Sequence, residues 1–202
     1  MKNHKRLFLF LLWLAAGSAA ASLRAEVSTY FPLEKGNFWI YTANRNSETF
    51  RTDVIRRTGN VVEVMSKQYT TIYSDRGSEI DIQLPKEGFL LFRRFIPNST
   101  WDYQGVSNCN NGPVAVDTAK EPIVTRAGNF EKCLHLRFSK ACSDGGLVEE
   151  WWAPNVGLVK WTQDNIAGLL TFELSEYGLQ GSAAKAGLIR FLVRLNMTWR
   201  II

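Results

Sequence analysis

The chain has 202 residues, of which 46% are hydrophobic, and its formal net charge is +5 at pH 7. That charge sits at the two ends: residues 1–25 and 183–202 each hold four basic residues and no acidic one, which leaves 16 basic against 19 acidic residues between them. Because the body of the chain carries no basic field, nucleic-acid binding is disfavoured despite the sequence pI near 9.2.

Residues 1–25 are typical of a secretory signal peptide. Lys2, Lys5 and Arg6 precede an apolar run at 7–16, and small residues follow up to Ala25. The run is shorter than the roughly 20 residues that span a bilayer. We therefore expect the protein to be exported, either to the periplasm or out of the cell. The remaining length suits one hydrophobic core, so we expect a single domain over 26–181.

That domain is predicted to be all-β and antiparallel. Short runs rich in β-branched and aromatic residues alternate with turn residues, at the spacing of roughly 8–12 residues that is typical of such folds. Leu134, Leu136 and Phe138 alternate with His135 and Arg137, which places one face of a sheet on a core. We expect a strongly curved sheet or an open barrel, with a two-sheet sandwich as the alternative. The strand-like runs are 38–44, 49–56, 61–66, 69–73, 78–84, 89–95, 114–116, 122–125, 130–138, 147–152, 156–163 and 169–177.

Residues 96–112 form the longest stretch that lacks a strand pattern. The stretch contains Pro97, Asn98, Trp101 and Tyr103. Long loops in small domains are often functional or disordered, and the aromatic side chains suggest that this one is held down on the rest of the domain. The sequence therefore predicts a long irregular loop here.

Residues 182–202 differ from the body. Apolar side chains recur there at helical spacing, and Arg190 and Arg194 lie one turn apart on another side. A basic amphipathic helix of this kind would lie on a membrane surface. A final strand, or a helix packed on the sheet, is the alternative.

The three cysteines are Cys109, Cys133 and Cys142. Export permits a disulfide, and an odd count leaves one thiol over. Cys109 and Cys142 both lie in loop-like segments, whereas Cys133 lies several residues deep in a strand-like run. We predict a Cys109–Cys142 disulfide, with Cys133 as a small buried apolar residue.

Four blocks of the chain, taken in order, resemble one family. They are Tyr-Phe-Pro-Leu-Glu-Lys-Gly-Asn-Phe-Trp-Ile-Tyr at 30–41, Ala-Gly-Asn-Phe leading to Cys-Leu at 127–134, Glu-Glu-Trp-Trp-Ala-Pro-Asn-Val-Gly-Leu-Val-Lys at 149–160, and Glu-Leu-Ser-Glu-Tyr at 173–177. They resemble exported, β-rich bacterial proteins of unknown function that carry Tyr-x-Pro-Leu-x-x-Gly-Asn-x-Trp-x-Tyr and Trp-Tyr-Ala-Pro-Gly-Val-Gly-Leu-Val-Lys. The resemblance implies export and a β-rich fold without an assigned activity. Asn155 stands where that family has glycine, and Asn also tolerates positive φ.

The sequence offers little for catalysis. His135 is the only histidine after the leader, and there is no Cys-x-x-Cys pair, so we expect neither a metal site nor a cofactor. We assign no catalytic residue. The rival hypothesis is a glycosidase-like hydrolase that uses the carboxylates of Glu79, Asp81 or Glu150.

Tryptophans are the remaining lead. Adjacent strand residues point to opposite faces, so Trp151 and Trp152 cannot both lie in the core. A curved sheet with an aromatic-lined hollow suits an apolar ligand. We therefore expect a non-enzymatic domain that binds an apolar ligand or an envelope partner through Trp39, Trp101, Trp151 and Trp152. The candidate partners are a lipid, a glycan or an envelope protein.

Overall fold

The computed structural model describes residues 30–104, 109, 111–139, 142–143 and 145–180. The predicted signal peptide and the predicted tail lie outside the described residues. No helix in the described part has the length and apolar character needed to cross a membrane.

The described residues form β-strands and turns. The strands are β1 Phe38–Ala43, β2 Thr49–Thr58, β3 Val61–Ser66, β4 Tyr69–Asp75, β5 Glu79–Leu84, β6 Gly88–Arg94, β7 Ser99–Tyr103, β8 Gly112–Thr118, β9 Ile123–Thr125, β10 Gly128–Phe130, β11 Leu134–Phe138, β12 Gly146–Ala153, β13 Gly157–Asp164 and β14 Leu170–Gly178. Twelve of them form one antiparallel sheet in the order β6-β5-β4-β3-β2-β1-β14-β13-β12-β11-β8-β7. The all-β prediction is confirmed.

The sheet curls until its two edge strands meet. β6 and β7 follow each other in the chain yet lie at opposite ends of the strand order, and they contact each other without a ladder of paired residues. One link across this seam is the hydrogen bond that Arg94 Nη1 donates to the Thr100 carbonyl at 3.4 Å. The prediction of a strongly curved sheet or open barrel is therefore confirmed, and the two-sheet sandwich is not what forms.

The small second sheet, β9 with β10, packs beside β13 and β14. Ala127 N donates to the Leu174 carbonyl at 3.1 Å, which joins the hairpin to the main sheet. The predicted strand at 130–138 is thereby split in two. Lys132 adopts a positive φ of 55° between β10 and β11, and this conformation breaks an extended strand.

The predicted loop at 96–112 is wrong in part, because it contains β7. Trp101 and Tyr103 alternate inward from this strand and are buried, while Asp102 between them is exposed. Five residues are too few for periodicity to stand out beside Pro97 and Asn98. Asn98 has a φ of 58° and makes the turn that leads into the strand.

The barrel has one closed end. The segment before β1 folds over that end: Leu33 is buried, and the Phe31 ring lies 5.1 Å from Trp152 and 5.7 Å from Tyr73 between centroids. Asn37 Nδ2 donates to the Pro32 carbonyl at 2.6 Å and holds the segment in place. The opposite end, which we call the open end, carries the connections that follow β1, β3, β5, β7, β11 and β13.

Candidate functional site

The interior of the barrel is hollow between Phe31, in the segment that covers the closed end, and the open end, where Gly146 and Asp164 lie. It contains an inner cavity of about 190 Å³ and an outer cavity of about 460 Å³. The two share four lining residues, Phe92, Glu150, Leu158 and Trp161. We call this pair of cavities the cup.

The inner cavity has two unlike walls. Aromatic rings form one wall: Trp161 stacks on Phe172 with centroids 4.6 Å apart and meets Tyr41 edge-on at 4.8 Å. Hydroxyl groups form the other wall, where Thr52 donates to Ser66 at 3.1 Å. The complete lining is Phe31, Trp39, Tyr41, Phe50, Thr52, Val64, Ser66, Thr71, Tyr73, Phe92, Glu150, Trp152, Leu158 and Trp161.

Two β-bulges aim side chains into the cup. In β6, the register passes from Arg93 to Leu91 and leaves Phe92 without a partner, so the neighbours Phe92 and Arg93 both line the cup. In β13, the register shifts between Lys160 and Leu158, so Leu158 and Trp161 share the interior although they are three positions apart. A bulge inserts one residue and resets the alternation of a strand.

A buried ion pair crosses the interior. Arg93 and Glu150 are 2% and 3% exposed. Arg93 Nε donates to Glu150 Oε2 at 2.6 Å, and Arg93 Nη2 bonds Glu150 Oε1. Trp152 Nε1 donates to the same Oε2 at 2.8 Å. Burial acts to lower the pKa of Arg93, but the charge and hydrogen bonds of Glu150 outweigh it, so the pKa lies above its usual value.

This pair also closes the barrel. It joins β6, one edge of the sheet, to β12, which lies past β7, β8 and β11 in the strand order. The Arg93 guanidinium lies 3.8 Å from the Phe92 ring centroid, 4.9 Å from Phe138 and 5.2 Å from Tyr103. Side chains therefore hold the seam where backbone pairing is missing.

The phenols of Tyr41 and Tyr73 in the inner cavity stay protonated at neutral pH. Burial raises the pKa of Tyr73 to about 12, and burial followed by the charge of Glu150 raises the pKa of Tyr41 above its usual value. Tyr41 donates its hydroxyl to the Leu158 carbonyl at 3.0 Å. The aromatic wall is thus uncharged, and it suits apolar contact rather than acid–base chemistry.

Two of the four predicted ligand-binding tryptophans, Trp39 and Trp152, come together in the cup. Both are fully buried and both line the inner cavity. Trp39 Nε1 donates to the Val156 carbonyl at 2.6 Å, which ties β1 to the turn before β13. Gly157 packs below this indole with a φ of 106°, and the turn before it includes Asn155 at a φ of 60°.

The other two lie elsewhere. Trp151 is on the outer face, where its ring stacks on His135 with centroids 4.7 Å apart and planes 6° apart. His135 Nε2 lies 2.9 Å from Glu149. Trp101 is buried on β7 but does not line the cup, and its Nε1 has no hydrogen-bond partner among the described residues.

Cys109 and Cys142 are joined by a disulfide, with their Cα atoms 4.8 Å apart. The bridge ties the β7–β8 connection to the β11–β12 connection at the open end. Cys133 is free and fully buried, and burial raises its pKa to about 11. A buried thiol of this kind is unreactive at neutral pH.

The carboxylates of the rival hydrolase hypothesis are occupied by arginines. Glu79 accepts from Arg94 at 2.8 Å, and Asp81 accepts from Arg76 at 2.6 Å. Both oxygens of Glu150 are engaged within the barrel, as described above. No group of three or more His, Cys, Asp or Glu side chains within the described ranges could hold a metal ion.

Sequence reasoning missed most of the cup. Phe92 and Arg93 could not be found by alternation, because the bulge alone brings both inside. Nothing in the sequence distinguished Trp161 from the other aromatic residues of strand-like runs. The ring that it stacks on, Phe172, lies on the neighbouring strand β14. Only the cross-strand pairing of Trp161 with Glu150 and Phe172 shows that these side chains share the interior.

Comparison with solved structures gives two matches. One is a candidate lipoprotein from Parabacteroides distasonis, with 17% identity and a TM-score of 0.42, and the other is a candidate exported protein with a YmcC-like fold from Bacteroides fragilis, with 15% identity and a TM-score of 0.45. Each alignment covers 74% of this chain and 99% of the other. No protein-family model matches the chain, and no curated protein matches it.

Proposed function

We propose that this protein is an exported, non-enzymatic binding domain whose cup takes a small apolar ligand through its open end. The observation that carries the proposal is the inner cavity of about 190 Å³ with an aromatic wall. Barrel mouths lined by aromatic side chains and a few polar groups are typical ligand sites. A hydrocarbon or aromatic group buried there would replace water on rings that the fold leaves partly exposed.

The polar groups of the cup support binding rather than catalysis. The phenols of Tyr41 and Tyr73 are protonated at neutral pH, and the carboxylate of Glu150 in the inner cavity already accepts hydrogen bonds from Arg93 and Trp152. Acid–base hydrolysis needs two carboxyl groups free to act on opposite sides of a bond. The hydroxyls of Thr52, Ser66 and Thr71 would instead orient a polar substituent on a mainly apolar ligand.

Two further observations support export. The first 25 residues have the pattern of a signal peptide, and the disulfide between Cys109 and Cys142 suits an oxidising compartment. Membership of the resembled family of exported β-rich proteins is part of the same proposal.

The test is a titration of the mature protein with N-phenyl-1-naphthylamine, a neutral apolar dye that fluoresces in dry surroundings. Wild type should show saturable binding. Leu158→Lys places a charge where the two cavities meet and should weaken binding at least about tenfold, since burying an unpaired ammonium is costly. Val61→Lys introduces the same charge at an exposed residue of β3, on the outer face, and should bind like wild type.

Urea unfolding of both variants checks that they are folded. Wild type without saturable dye binding would contradict the proposal. Equal binding by the folded Leu158→Lys variant would contradict it as well.

A further inference from the structure

Exposed apolar side chains gather around the open end of the barrel. Four of the five most exposed large hydrophobic residues in the described part of the chain lie there: Ile166 at 91%, Tyr69 at 68%, Leu169 at 50% and Phe89 at 44%. Tyr69 begins β4, Phe89 lies at the start of β6, and Ile166 and Leu169 belong to the β13–β14 connection. We call these four residues the rim.

The most exposed rim residue is held outward by an ordered turn. Asn165 Oδ1 accepts from Ala167 N at 2.8 Å, and the Asn165 carbonyl accepts from Gly168 N at 2.7 Å. Arg45, on the β1–β2 connection, donates to the Ala167 carbonyl from outside the turn. Ile166 therefore lies at the tip of a turn whose shape is fixed by its own hydrogen bonds and by a neighbouring loop.

The arrangement of the rim favours a bilayer over a protein partner. In the strand order, β6 is first, β4 is third, and β14 and β13 are seventh and eighth, so the rim follows the curve of the sheet with the mouth of the cup inside it. A protein interface needs a contiguous, well-packed patch. Separate apolar tips around an opening instead match a soft surface into which each tip can insert.

The chemistry of the rim agrees with that choice. Tyrosine prefers the boundary between headgroups and hydrocarbon. Each rim connection also has a cation: Lys67 precedes Tyr69, Lys86 precedes Phe89, and Arg45 contacts the turn of Ile166. Glu48 and Glu87 lie at the same end, and Lys67 pairs with Glu48 at 2.5 Å. Charge attraction is therefore weak, and apolar insertion supplies most of the binding.

We propose that the rim docks this protein on a lipid bilayer surface, with the mouth of the cup facing the lipid. The rim lies at the opposite end of the barrel from the last described residues, since β14 ends at the closed end. It is also separable from ligand binding by the cup, because the rim residues lie outside the inner cavity.

The test places a fluorophore on one rim residue of the mature full chain. Ile166→Cys is labelled with a nitrobenzoxadiazole maleimide; Cys133 is buried and the other two cysteines are bridged, so the new thiol is the one that reacts. Val124→Cys is the matched control, because Val124 is 64% exposed but lies between β8 and β11 at the closed end. Vesicles contain equal parts of phosphatidylethanolamine and phosphatidylglycerol, with or without a doxyl-labelled quencher lipid.

The label at 166 should brighten on adding vesicles, lose that signal to the quencher lipid, and keep it in high salt, while the label at 124 changes in none of these ways. In co-sedimentation of the unlabelled protein, Ile166→Asp should lower vesicle partition about tenfold and Val124→Asp should not. An unchanged label at 166 overturns the proposal, even if the protein sediments through its tail. A change that follows protein concentration without vesicles indicates a second copy as the partner and overturns it too.

Discussion

Replacing Glu150 by alanine should destabilise the protein more than any other single change to an ion pair in its described part. The substitution leaves the Arg93 guanidinium buried without its counter-charge, and it leaves the indole N–H of Trp152 without an acceptor. It also removes the link from β6 to β12 at the seam. Removing one partner of a buried pair costs about 3–5 kcal/mol of unfolding free energy.

The double variant Arg93→Met/Glu150→Leu separates charge from packing. Two apolar side chains of similar volume need no hydrogen bonds, so most of the loss should be recovered, to within about 1–2 kcal/mol of wild type. Glu48→Ala is the control for an exposed pair. Its partner Lys67 lies in solvent, and the loss should stay below about 1 kcal/mol.

Equilibrium urea unfolding, followed by tryptophan fluorescence without reductant, measures all four proteins. The transitions must be two-state with equal slopes for the comparison to hold. A loss below about 1 kcal/mol for Glu150→Ala would refute the reasoning. If the double variant is as unstable as Glu150→Ala, the ion pair stabilises the fold by more than the cost of burying its two charges.

Three further results are expected. In urea unfolding, Trp39→Phe should lower the free energy of unfolding by about 1–2 kcal/mol more than Trp101→Phe does. Both substitutions replace an indole by a phenyl ring, but only the Trp39 indole donates a hydrogen bond. Equal losses would contradict this prediction. The Cys109→Ser/Cys142→Ser variant should lose about 3–4 kcal/mol, since the bridge closes a loop with a sequence separation of 33, and an unchanged midpoint would argue against it. Between pH 9 and 11, the unfolded chain releases the Cys133 proton before the folded chain does. The free energy of unfolding should therefore fall with rising pH, by up to about 1.4 kcal/mol per pH unit. Cys133→Ala should reduce that slope.

Local sequence patterns were enough to predict much of the fold. Alternation in 134–138 matches the burial of β11, where Leu134, Leu136 and Phe138 are buried and Arg137 is exposed. The turn at 154–157 forms where Pro154, Asn155 and Gly157 allow it, and the opposite facing of Trp151 and Trp152 follows from strand geometry alone. Twelve strands curling into one barrel were consistent with these patterns, but the order of the sheet also depends on the pairing of β1 with β14, which lie far apart in the chain.

Most of the residues that line the cup could not be predicted from the sequence, for a physical reason. Its lining depends on bulges in β6 and β13, and a bulge shows no signature in hydrophobic periodicity. In the sequence, Arg93 and Arg94 look like a pair of surface arginines. Arg93 is nevertheless buried, because Glu150 lies opposite it across the seam. Strand β7 was missed because five residues between turn formers do not establish a period.

The most direct test of the cup follows the indole N–H signals of the tryptophans by nuclear magnetic resonance while N-phenyl-1-naphthylamine is added. Trp161 lines both cavities and Trp151 stacks on His135 outside the barrel, so the two report on opposite faces of the sheet. A ligand in the cup should shift the Trp161 signal, together with those of Trp39 and Trp152, and leave the Trp151 signal in place. A shift of Trp151 alone, or no shift at saturating dye, would contradict a binding site inside the barrel.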